Sequence, residues 1–194
     1  MRRGRRDIPV LLRRRRVLRI GIIALLVLIV CVILIDHAGG FGFAGNDWSH
    51  FHQKSVHVAK VVSADQFVLD NGRTVQLLGV TPALNDGAER GKTYLAKRLE
   101  GKDVTLRLEA TQTRNSSGHL LAYVYFTDSD LINLDIVHDG QAFADRRVKH
   151  SLRQQIEQAE NDARKKKRGM WKDLAWDDQP SWRQEWVKGL ARKK

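Results

Sequence analysis

The 194-residue chain contains one cysteine, Cys31. That excludes a disulfide within the fold and any metal site built on paired cysteines. No segment repeats at a fixed period, so a stacked-repeat architecture is excluded too. Acidic residues are the minority charge, 22 against 34 Lys and Arg, for a net charge of +12. Long apolar runs are scarce: only Ile20 to Ile35, IGIIALLVLIVCVILI, goes sixteen residues without a charge.

The basic excess is unevenly placed. Arg2, Arg3, Arg5, Arg6, Arg13, Arg14, Arg15, Arg16 and Arg19 all precede or border the apolar run, and the chain beyond Asp36 is only moderately basic. Sixteen apolar residues make about 24 Å of helix. With Val17-Leu18 added and Arg19 snorkelling, the span nears the roughly 30 Å of a bilayer's hydrocarbon core. The arginines then place the N-terminus inside and the rest of the chain outside the cytoplasm. A cleaved signal peptide shares the basic start. The run is longer than a usual signal core, however, and Gly42-Phe43-Ala44 makes a poor small-x-small cleavage site, which favours an anchor.

The expected organisation is a basic cytoplasmic segment at 1–19, a transmembrane helix at 20–36, a flexible linker at 37–54, a folded domain at 55–172 and a basic tail at 173–194. His37 to Gly45 is glycine-rich, the mark of a tether. His50, His52 and His57 form either a metal cluster or, without cysteines beside them, a solvated linker and strand entry. Strands are expected at Ser55 to Ser63, through the hairpin turn Asp70-Asn71-Gly72-Arg73, and over Thr74 to Val80. Further strands fit Asp103 to Glu109, where Val104, Leu106 and Leu108 alternate, and His119 to Phe126 after the turn Asn115 to Gly118. Helices are expected at Gly87 to Leu99 behind an Asp86/Glu89 capping box, at Leu131 to Asp139 closed by Gly140, and at Ser151 to Lys167 with Gly169 as C-cap. In the tail, Trp182, Trp186 and Leu190 fall four apart. That stripe packs back on the domain or else touches membrane headgroups or nucleic acid bases.

Three stretches in order, VVSADQFVLDNGRTVQLLGVTPA from Val61, GHLLAYVY from Gly118 and RGMW from Arg168, resemble the landmarks of the staphylococcal nuclease (thermonuclease) family. The resemblance implies an α+β fold, a five-stranded OB-type β-barrel with three α-helices, and a calcium-dependent phosphodiester hydrolase site at the barrel's mouth.

Position by position, the resemblance leaves that site depleted. The family's Asp-Gly-Asp-Thr turn is Ser63-Ala64-Asp65-Gln66 here, making Asp65 either the carried-over calcium ligand or a plain turn aspartate. Gln76 stands where an arginine grips phosphate and brings no charge or bidentate fork. The Asp-Thr-Pro-Glu motif becomes Val80-Thr81-Pro82-Ala83: Thr81 is the remaining metal-side candidate, one aspartate is missing, and Ala83 replaces the general base. The second phosphate-gripping arginine is His119, cationic only in acid. Asp86 and Glu89 are the acids near enough in sequence to have taken over.

Each lost donor or base costs on the order of 10²–10⁴ in rate, and such losses do not multiply cleanly. The leading expectation is therefore a membrane-anchored nuclease-like domain with impaired or no catalysis and no cofactor, binding nucleic acid, another polyanion or an envelope protein. The alternative is an active nuclease outside the cytoplasm that uses Ca²⁺, Asp65 and His119.

Overall fold

In the computed structural model the described residues are 20–31 and 44–192. They fall into two units, one up to Phe43 and one from Ala44 onward. In the first, residues 20–31 form helix α1, whose Ile, Leu and Val side chains are exposed. Among the described residues no helix is long and apolar enough to cross a membrane. The basic segment 1–19, the end of the expected anchor at 32–36 and the start of the linker at 37–43 lie outside the described residues.

The second unit is built around a closed barrel of β1 (Lys54–Val61), β2 (Gln66–Leu69), β3 (Thr74–Leu77), β5 (Asp103–Leu108) and β6 (Leu120–Tyr125), in the order β1-β2-β3-β6-β5. All neighbours are antiparallel except β3 and β6. The alternation read from sequence is what closes it: Val104, Leu106 and Leu108 point inward with Val58, Phe67, Val75, Leu77 and Val124. Gly72, at φ 77°, makes the β2–β3 turn, and Leu69 and Arg73 close it with a backbone hydrogen bond. Strand β6 is buried on both faces, because Leu121, Tyr123 and Tyr125 pack outside the barrel against Leu78 and Leu131.

The expected strand from Thr74 to Val80 is broken. Gly79 takes φ +77°, and a methyl there would run into the His150 ring. Beyond it, β4 (Val80–Thr81) leaves the barrel and pairs with β7 (Phe143–Ala144), a two-stranded sheet too short to show in the pattern.

Helix α3 (Asn85–Leu99) starts two residues earlier than expected and without the capping box: its N-cap is Leu84, which has no side-chain cap. Helix α4 (Ile132–His138) carries Asn133, fully buried, whose amide donates to the Leu78 and Ala122 carbonyls while its oxygen accepts from Val124 N–H. This one side chain ties α4 to β6 and to the turn that follows β3. Helix α5 (Arg153–Lys165) buries Ile156 and Ala159 as expected, but Lys167, at φ 49°, closes it, and Gly169 opens a 3-10 turn instead.

From Ala44 onward the linker reading needs correction. Ala44–Phe51 is a helix, α2, with Phe51 in the barrel core. Its Asp47 is buried and accepts from Arg114 Nε (2.6 Å), Arg114 Nη2 (2.5 Å) and Thr113 Oγ1 (3.3 Å). The histidines do not converge. His52 stacks on Trp48 and accepts from Leu108 N–H, whereas His57 pairs with Asp103. Among the described residues no three His, Cys, Asp or Glu side chains are placed to hold a metal ion.

The tail is part of the domain. Helix α6 (Ser181–Ala191) packs back, and Leu84 N–H and the Asn85 amide bind Asp178. What it buries is not the Trp182/Trp186/Leu190 stripe but Arg183, 1% exposed, bonded to Glu160 at 2.7 Å and caged by Phe143, Trp171 and Trp186.

Candidate functional site

The turn after β1 and strand β3 place Asp65 and Gln76 side by side at one end of the barrel. Asp65 is buried, and both of its oxygens are engaged: Ser63 Oγ donates to Oδ1 at 2.6 Å and Gln76 Nε2 to Oδ2 at 2.7 Å. The Gln76 carbonyl in turn accepts from the Asn115 amide at 2.6 Å. Neutral amides thus run in series from the β5–β6 loop to the aspartate, where the resembled site would present a cation. Burial pushes the Asp65 carboxyl above its ordinary value, the Ser63 and Gln76 donors oppose that rise, and the nearby Asp145 charge adds to it.

Asp145 was not anticipated, and it is the second carboxylate of the mouth. Strand β7 carries it to β4, where Asp145 N–H donates to the Gly79 carbonyl and Thr81 Oγ1 donates to Asp145 Oδ2 at 2.9 Å. Arg147 then forks it, Nε to Oδ1 at 3.0 Å and Nη2 to Oδ2 at 2.7 Å, with Arg147 N–H on Oδ1 at 2.9 Å. Burial alone would raise this carboxyl; the Arg147 and Thr81 hydrogen bonds outweigh it and hold the group below its ordinary value. Thr81 is therefore at the mouth, as expected, but holds a carboxylate rather than an ion. Asp145 lies 64 residues after Thr81, and only its position directly after the apolar Ala142-Phe143-Ala144 could have hinted at it.

The other expected acids are elsewhere. Asp86 and Glu89 are exposed on α3, and their carboxylates have no hydrogen bond or ion pair among the described residues. Ala83 is buried against Phe143 and Met170, so the position of the family's general base is filled by a methyl group in an apolar cluster. His119 sits in the Asn115 turn, its N–H donating to Asn115 Oδ1 at 3.0 Å. Its ring bonds neither Asp65 nor Gln76, and its Nδ1 is buried without a partner.

Calcium takes six to eight oxygen ligands. Here Asp65 is spent on Ser63 and Gln76, while Asp145 is spent on Thr81 and a guanidinium. The residues present do not fit the ion.

A second polar relay borders the mouth. Tyr123 Oη donates to Glu109 Oε1 at 2.9 Å, and Nδ1 of His150, whose ring lies against Gly79, is 2.9 Å from the same phenol oxygen. With the phenol proton on Glu109, the imidazole donates from Nδ1. Burial pushes Tyr123 up to about 12 and His150 below its ordinary value, so the ring is held neutral.

Among comparisons with known proteins, the model of the family described as "Staphylococcal nuclease homologue" matches residues 80–173. The matched span runs from β4 through the 3-10 turn after α5 and includes Thr81, Ala83, His119 and Asp145, whereas Asp65 and Gln76 precede it. No curated protein matches the chain. The closed five-stranded barrel and its helices agree with this match, which supports a staphylococcal nuclease-like domain.

Proposed function

We propose that this domain is a non-hydrolytic member of its family, tethered to the cytoplasmic membrane by the apolar run at 20–36 with the domain outside, and that it binds a polyanion, nucleic acid first among them. The observation that carries the reading is the state of the two mouth carboxylates, each already satisfied by donors of the protein itself. The methyl of Ala83 in place of a base supports it. Binding draws support from Arg164, Lys165, Lys166, Lys167 and Lys172, exposed at the end of α5 and just beyond, none with an acidic partner among the described residues. Such a cluster recruits phosphates by counterion release. The tether draws support from the nine arginines before an uncharged run that is helical, with exposed apolar side chains, over 20–31.

A second reading, a calcium-dependent nuclease, rests on one observation: Asp145 brings a carboxylate to Thr81 where the motif has lost its own. The two readings part on a single assay of the full chain in detergent with labelled DNA and RNA, in calcium and in chelator. The proposal expects intact nucleic acid, retarded at low salt and released as salt rises. Cleavage that needs calcium and vanishes in Asp65→Ala establishes the nuclease instead. Absence of retardation even at low salt shifts the role to an envelope protein partner.

A further inference from the structure

We infer that Arg147 is a built-in cation that takes the place of a metal ion at the mouth, held there by helix α6, so that the site is metal-independent by construction. The inference deepens the non-hydrolytic reading above and rests on it.

Asp145 receives four hydrogen bonds: two from the Arg147 guanidinium, one from the Arg147 backbone and one from Thr81. A forked guanidinium is the side-chain arrangement that best matches a carboxylate's two oxygens in both geometry and charge. A divalent ion would need the same oxygens and would meet a fixed positive charge beside them.

Arg147 would be a poor stand-in if it could swing away, since its side chain is about half exposed at 55%. Several contacts hold it. Trp182, on α6, lies over the guanidinium with the ring centroid 4.9 Å from Cζ. The segment around it is fixed by Glu160, which accepts from Ala144 N–H, Arg146 Nη2 and Arg183 Nη1 at 3.2, 3.0 and 2.7 Å. Arg146 also binds Glu157 and stacks on Trp186. Residues 144 to 147 are thus bonded to α5 through Glu157 and Glu160 and packed against α6 through Trp182 and Trp186, and the buried Arg183 joins the two helices through Glu160. This gives the buried ion pair a function as well as a cost: it seats the helix that seats the arginine.

The test uses the full chain in detergent, with two readouts other than catalysis: melting temperature in calcium chloride against chelator, and terbium luminescence, which Trp182 would sensitise beside the mouth. The wild type is expected to melt at the same temperature in both and to show no saturable terbium signal. Arg147→Ala is expected to gain saturable, calcium-displaceable emission and a calcium-dependent rise in melting temperature on the order of 5 °C. Adding Asp145→Asn should abolish the gain, and Arg147→Lys should keep the wild-type indifference. If Arg147→Ala does not fold, Arg147→Met, which keeps the length of the side chain beside Trp182 but offers no donor to Asp145, decides in its place.

A wild type that binds terbium saturably and loses it in Asp145→Asn overturns the inference, as does a folded Arg147→Ala or Arg147→Met variant that gains nothing. Neither result touches the non-hydrolytic reading, which stands or falls on cleavage. Metal-free cleavage would sink that reading while leaving Arg147 in its role.

Discussion

The barrel interior and the face between α5 and α6 are held together by opposite means. Inside the barrel, Val58, Phe67, Leu77, Leu106 and Val124 exclude water, with Asn133 tying the helix layer on from outside the strands. On the other face, Glu160, Arg146 and Arg183 are charges packed among Phe143, Trp171 and Trp186. An apolar core tolerates small changes of shape, whereas a buried ion pair tolerates none that removes one partner. The domain therefore keeps a forgiving scaffold and puts its stringency where the mouth is built.

The sharpest way to break that contrast is Arg183→Ala, which leaves the buried Glu160 with Arg146 as its one cation and opens a void among Phe143, Trp171 and Trp186. A loss of about 3–5 kcal/mol is expected by urea unfolding. Replacing both partners, Glu160→Leu with Arg183→Met, should recover only part of it, because Glu160 also serves Ala144 N–H and Arg146. Full recovery would reduce the cluster to an isolated pair. Next comes Leu106→Ala, fully buried in the barrel, at about 2–4 kcal/mol by the same measurement. If it exceeds Arg183→Ala, the stringency lies in the barrel after all.

Acid should act on the mouth side first. His150 is held below its ordinary value of about 6.5, so the unfolded chain takes up its proton first, and stability falls as pH drops through that range. Asp145, also depressed, adds stability that is complete above about pH 4 and lost below it. Asp65 is raised and opposes this: its penalty at neutral pH is relieved as it protonates in acid. His150→Gln should flatten the stability profile between about pH 5 and 7 and leave the more acidic limb intact. An unchanged profile would assign that slope to other groups. The smallest effect belongs to Arg90→Ala. Its pair with Asp173 is exposed on both sides, and less than about 1 kcal/mol is expected.

The same contrast explains what the sequence disclosed. Alternation at Val104, Leu106 and Leu108 and the Asp70-to-Arg73 turn announced the barrel because apolar periodicity and turn chemistry are local. Asp65, Gln76 and Thr81 were found because they sit in recognisable motifs, and the structure does bring them to one end of the barrel. Asp145 and Arg147 were missed because the partner that gives them meaning, Thr81, lies 64 residues from Asp145. Helix α2 was read as linker for a related reason: its buried Asp47 is satisfied by Arg114, 67 residues on, and nothing near it in sequence signals burial. The tail's Trp stripe had the right period, yet the residue buried was the arginine between its tryptophans.

Helix α2 has a mechanical consequence. The domain begins at Ala44, and before the chain enters β1 it is clasped to the β5–β6 loop through Asp47 and Arg114. Tension applied from the N-terminal side would load that clasp before the strand ladder, and Asn115, the next residue, holds Gln76. A pull from that side would therefore reach the mouth before it began to unzip the barrel.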